Sequence, residues 1–175
     1  MLTADLDRLR DQFARLHEVV APLGLELVDD PNWTEPSNFH YLTEKDRADP
    51  HIMANVEAMC ATNVLISWFG QDNEGFVGLW RGLANTPPAT APVVRLDSEG
   101  QYALVADGIG NYLAISCDED DFARVRAALI GAGLTVADEY EDIWGTTEGH
   151  ACPNAYRHLL YNAGLARRGL PPVEA

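Results

Sequence analysis

Three residues near the C-terminus have side chains that could do chemistry: His150, Cys152 and His158. Imidazole and thiolate are zinc ligands, and Pro153 would fix the turn beside them. His150 and Cys152 could equally serve as base and thiol nucleophile. The spacing matches no strong zinc pattern, and a fourth ligand is not evident. The run Cys117-Asp118-Glu119-Asp120-Asp121 has the composition of a metal site. Adjacent acids on one element point in different directions, so the run reads better as the acidic first turn of a helix. Asp72-Asn73-Glu74-Gly75 shares letters with a calcium loop but lacks its length and its distal Glu, and reads as a turn. Asp107-Gly108-Ile109-Gly110 lacks the third glycine of a dinucleotide loop, and Asp107 would oppose a phosphate. Ser67 and Ser98 lie outside any G-x-S-x-G frame, and Ser116 reads as a helix cap. No cofactor is expected.

The elements that must position these residues centre on Val64–Ala106. Val64–Phe69 is almost entirely apolar, as in a strand covered on both faces. Gly70–Gly75 is a turn, in which Asp and Asn bond the local backbone. Phe76–Arg81 returns, with Phe76, Gly78 and Trp80 on one face. A Pro-containing loop, Gly82–Ala91, leads to Pro92–Asp97, where Val94 and Leu96 alternate with Arg95 and Asp97. Ser98–Gly100 turns the chain into Gln101–Ala106. The pattern is an antiparallel meander.

Before the meander, Thr3 is a helix N-cap, and Leu6, Leu9, Phe13, Leu16 and Val20 form one apolar stripe. Asp11 and Arg15 stand one turn apart on it. Pro22 and Gly24 end this helix, and Leu25–Val28 is a short strand. Asp29–Thr43 reads as an ordered aromatic loop with a strand at Phe39–Leu42; Trp33 in it is either a core residue or a partner-binding anchor. Asp49-Pro50 opens a second helix running through Ala61. After the meander, Phe122, Val125 and Leu129 mark a helix, with Asp120 and Arg124 an i,i+4 pair and Gly131 and Gly133 closing it. Leu134–Ala137 reads as a final strand, Asp138–Cys152 as a loop with Trp144 and Gly145, and Pro153 as the start of a last helix. Leu170–Ala175 reads as a frayed tail. The expected fold is α+β: one domain over residues 1–175, with a single antiparallel sheet of about five to six strands and helices packed on one side. Residues 1–61 form the N-terminal helical and loop region, 62–106 the meander, and 107–175 the C-terminal helices and edge strand.

Charge narrows the partners. Twenty-seven acids against twelve bases give a net charge of −15. Such a surface repels nucleic-acid phosphate and anionic lipid and suits a basic protein. Cys60, Cys117 and Cys152 are far apart and read as reduced thiols. Met1–Arg10 lacks the apolar segment of a signal peptide, and no run approaches about 20 apolar residues, so a cytoplasmic chain is expected.

The meander carries a resemblance. Phe69-Gly70-x-Asp72 with Gly75, then Pro92-Val93-Val94 with Leu96-Asp97, then Asn111-Tyr112-Leu113 resemble the SUKH superfamily over residues 64–115. In that resemblance these residues are the first sheet turn, the next strand and the short helix after the sheet. The opening L-P-x-x-Y/F-x-x-F-L helix common in the family is missing. The resemblance implies a non-enzymatic bacterial immunity protein that neutralises a toxin, often a secreted nuclease, by protein–protein binding. A cytoplasmic scaffold of envelope assembly is the other branch, and a small metal enzyme using His150, Cys152 and His158 stands outside it. For a basic partner, the expected contact residues are exposed acids, Asp72 and Glu74 at the hairpin tip and Asp118, Glu119 and Asp120 before the penultimate helix, with Trp33 as an anchor.

Overall fold

The computed structural model describes residues 4–30, 33–145, 147 and 149–174, and only main-chain structure at 144 and 145. The Thr3 cap and Pro31 lie outside the described residues. The chain runs α1 (Ala4–Gln12), α2 (His17–Val20), β1 (Glu26–Leu27), α3 (Glu44–Ala48), α4 (Pro50–Asn63), β2 (Ile66–Gln71), β3 (Gly75–Trp80), β4 (Val93–Asp97) and β5 (Tyr102–Ala106). It continues with α5 (Ile109–Ala114), α6 (Glu119–Gly131), α7 (Asp142–Gly145) and α8 (Pro153–Arg167). The five strands form one antiparallel sheet in the order β1-β2-β3-β4-β5, the expected α+β class.

Helices cover both faces of the sheet rather than one. Strand alternation explains this. In β3, Val77 and Leu79 point to one face and Phe76 and Trp80 to the other, and both sets are apolar. Val77, Leu79, Phe69 and Val93 pack with Leu6 and Leu9 of α1, Tyr112 and Leu113 of α5, and Phe122 and Leu129 of α6. Trp80, Ile66, Val94, Leu96 and Tyr102 pack with Met59 of α4 and Tyr156 of α8. The two helices of this second layer meet where a Cβ on Gly164 would stand 3.1 Å from that of Ala54.

Local chemistry sets several boundaries. Asp49 caps α4 by accepting from His51 N and Ile52 N, with Pro50 at the first helical position. Thr43 and Asp46 form a capping box on α3. The N-terminal helix is not continuous. It breaks at 13–16 into a turn, although Leu6, Leu9, Leu16 and Val20 are all buried. Arg15 bonds Gln12, not Asp11, and Arg124 pairs with Asp121, not Asp120. Residues 39–42 form a turn, not a strand.

Residues 134–137 pair with no strand among the described residues, so the expected final strand at Leu134–Ala137 does not form. Side chains hold this segment instead: Asn111 Oδ1 accepts from Ala137 N at 2.8 Å, and Arg126 Nε donates to Ala137 O at 2.7 Å. It passes so close to α5 that a Cβ on Gly110 would lie 2.0 Å from Thr135 O. The loop after it contains the short helix α7. The tail is tied down at Val173, since Asn162 exchanges two hydrogen bonds with its backbone.

Candidate functional site

The β2–β3 hairpin carries the first pair of expected contact acids, and the structure separates them. Asp72 Oδ1 accepts from Glu74 N and Gly75 N, both at 2.9 Å, which closes the turn. Asp72 Oδ2 accepts from Arg95 Nε at 2.9 Å, Arg95 Nη2 at 2.7 Å and the Tyr112 hydroxyl at 2.9 Å. Its side chain is 1% exposed, so the expectation of an exposed Asp72 is overturned. The cause is Arg95. Its register partner is Val77, so it points to the covered α1/α5/α6 face and requires a buried counter-charge. Burial works against the Arg95 charge, but the hydrogen bond to Asp72 and the charges of Asp72 and Glu74 outweigh it and raise its pKa. Burial, with Asp72 acting in the same direction, pushes the Tyr112 pKa far up, so the phenol stays protonated and donates. Glu74 also pairs with Arg95, but its side chain remains 70% exposed.

The second group of acids has the expected exposure. Asp118, Glu119 and Asp120 are exposed, as is Asp121. Asp118 occupies the N-cap position of α6, yet its carboxylate bonds no helix N–H. The sequence reading missed what lies beside them. Phe122 packs edge-on against Tyr140 with centroids 5.7 Å apart, and Arg126 pairs with Asp138. These contacts bring Asp138, Glu139, Glu141 and Asp142, all exposed, next to the start of α6. Eight carboxylates thus share one belt with two arginines, Arg124 and Arg126. The run D-E-Y-E-D at 138–142 was the available signal. Inside the belt, burial pushes the Cys117 thiol up, and the negative charges of Asp121 and Asp118 act the same way. A shallow depression of about 390 Å3, lined by Asp72, Asn73, Glu74, Arg95, Ile115 and Ser116 among others, places the hairpin tip beside the approach to α6.

Trp33 is half-buried and meets Phe76 edge-on at 5.5 Å. It borders a groove of about 610 Å3 together with Trp68, Asp29, Asp30, Arg10 and Arg81.

The three chemistry-bearing residues near the C-terminus do not assemble. His150 and Cys152 are exposed and line an apolar pocket of about 490 Å3 with Trp80, Leu83, Tyr156 and Leu159. His158 is absent from that lining, and its ring is tilted against that of Tyr161 with centroids 6.4 Å apart. Among the described residues, no three His, Cys, Asp or Glu side chains converge as a metal-ligand set. No described helix is long and apolar enough to cross a membrane. Compared with protein-family models, curated proteins and solved structures, the chain finds no match.

Proposed function

We propose that this chain is a non-enzymatic binding protein of the immunity type, which neutralises a basic toxin by covering it. The acidic belt of α6 and residues 138–142 carries this reading. Eight exposed carboxylates against two arginines form a field that steers a cationic surface and raises the rate of encounter. The net charge of −15 extends the field over the molecule. The resemblance of residues 64–115 to the SUKH superfamily implies the same kind of role. The test is protection. Cells expressing a candidate basic nuclease toxin should survive when they co-express this chain, and Asp118→Lys/Asp120→Lys should weaken the protection. Killing unchanged by the parent chain across the candidate toxins counts against an immunity role.

A second reading has one observation in its favour: His150 and Cys152 share the lining of one apolar pocket. There the thiol would act as nucleophile and the imidazole as base. Alkylation of Cys152 decides between them, because a thiol enzyme loses all turnover while a binding protein keeps its partner.

A further inference from the structure

The two ends of the sheet are finished differently. At the β5 end, Tyr102 N donates to Asn154 Oδ1 at 3.0 Å and Asn154 Nδ2 donates to Tyr102 O at 2.7 Å. The amide of an α8 side chain there takes the place of a neighbouring strand. At the other end, β1 pairs only with Gly70 and Gln71, and Val28 N adds one bond to Phe69 O. The register with β3 fixes what lies beyond. Arg81 N bonds Leu65 O and Trp80 N bonds Pro92 O, so Ser67 faces β3 while Ile66 and Trp68 turn their N–H and C=O groups outward. Among the described residues nothing hydrogen-bonds those four outward groups. They open onto the groove of about 610 Å3 bordered by Trp33 and Trp68. Arg81 lines the same groove, and its Nε is buried without a hydrogen-bond partner.

We infer that this open edge takes an extended segment of a partner protein as an added strand of about three residues on Ile66–Trp68. Unsatisfied backbone donors and acceptors at strand spacing are complementary to another backbone in the extended conformation. Side chains of an added strand alternate between faces. Those on the Trp68 face meet Trp33, Trp68 and Phe76, which form one aromatic cluster and take an apolar group. Those on the opposite face point toward the groove mouth, where Asp29 is 86% exposed but already paired with Arg10 at 3.0 Å; a partner drawn by the net charge of −15 brings basic side chains there. The occupant is therefore an apolar–basic alternating strand. The basic character rests on the proposed function above; the demand for an extended backbone does not.

The test uses the whole isotopically labelled chain and a synthetic peptide, acetyl-Lys-Val-Lys-Val-Lys-amide. The expected result is shifted Ile66 and Trp68 amide signals and hydrogen exchange at both slowed by about tenfold or more at saturation. N-methylating alternate peptide residues discriminates further. The series that blocks the N–H groups facing β2 should weaken binding about tenfold, and the other series should leave it nearly unchanged. Trp33→Ala should weaken the peptide with little effect on the melting temperature. Equal binding by both N-methyl series, or no protection of the edge amides at millimolar peptide, overturns the proposal. Peptide shifts confined to residues 118–121 and 138–142 also overturn it, while leaving the charge-steering reading intact. Protection of both edge amides without peptide, in a chain that runs as a dimer, would make the occupant a second copy and overturn the peptide assignment.

Discussion

The β2–β3 hairpin and the first turn of α6 both carry runs of carboxylates, and they spend them in opposite ways. At the hairpin, Asp72 accepts five hydrogen bonds and is nearly sealed from solvent. At α6, Asp118 bonds no helix N–H, and Glu119 and Asp120 are exposed. A cation on the covered face of a neighbouring strand makes the difference. Arg95 cannot be buried uncompensated, so the nearest carboxylate is drawn in and fixed. Among the described residues, no buried cation pairs with Asp118, Glu119 or Asp120. The hairpin carboxylate therefore serves the fold, and the α6 carboxylates remain available to a partner.

Breaking the hairpin network should produce the largest effect in the molecule. Asp72→Ala strands Arg95, the Tyr112 hydroxyl and two turn amides together. The expected loss is about 3–5 kcal/mol, read from urea unfolding, because removing one partner of a buried pair leaves the other charge uncompensated. Asp118→Ala should change the same measurement by less than about 0.5 kcal/mol. Losses of similar size at the two sites would erase the distinction.

Tyr112 sharpens the same contrast through pH. Tyr112→Phe removes one charge-assisted hydrogen bond and should cost about 1–3 kcal/mol at neutral pH. Burial, then Asp72, raises its pKa in the folded state, and burial raises that of Tyr102 as well. In the unfolded chain both phenols ionise near 10. The folded state thus holds protons that the unfolded state has released. Stability is full below about pH 10 and falls as pH rises towards the folded values. Above about pH 10, Tyr112→Phe should show a shallower decline in melting temperature than the parent. An identical decline would mean that Tyr112 ionises as readily folded as unfolded.

Glu74 lies between the two regimes. It pairs with Arg95 but is 70% exposed. Solvent screens it, and Asp72 already satisfies the same guanidinium, so Glu74→Gln should cost about 0–1 kcal/mol. A loss near that of Asp72→Ala would mean that Glu74, not Asp72, neutralises Arg95.

Local chemistry made much of this legible from the sequence. G-Q-D-N-E-G declares a turn in which Asp bonds the following amides, and Asp72 does so. Asp49-Pro50 declares a helix start, and the apolar stripes of α1 and α6 mark buried faces. The exposure of Asp72 was not legible from its turn, because its fate is decided by Arg95 and Tyr112, 23 and 40 residues away. A clue existed. A strand as apolar as Val64–Phe69 implies two covered faces, and Arg95 then sits on a covered face and demands an acid. The segment 134–137 misled for a related reason. Its burial pattern is that of a strand, with Leu134 and Val136 inside, but Asn111 and Arg126 supply the hydrogen bonds that a strand partner would. The acidic belt needed the Phe122–Tyr140 contact to join two runs that are separate in sequence.

The smallest stability effect belongs to the acids with the largest proposed role in binding. Asp118→Lys/Asp120→Lys places cations at the positive end of the α6 dipole, which costs about 0.3–1 kcal/mol per site at low salt and less at higher ionic strength. Asp118 contributes no capping hydrogen bond to lose, so the melting temperature should move little. Association should move more. The belt falls from eight carboxylates and two arginines to six carboxylates and four cations, which removes most of its local field. Charges at an interface rim act mainly on the encounter rate, so the association rate with a basic partner should fall at low salt, and its dependence on salt should flatten. The dissociation rate should stay near that of the parent. Stopped-flow association at two ionic strengths, with a melting curve on the same samples, separates the two roles. A lowered melting temperature with an unchanged association rate would make these acids helix-start residues and nothing more. An unchanged melting temperature with slowed, salt-insensitive association would set them apart from Asp72 as the carboxylates this fold leaves free for recognition.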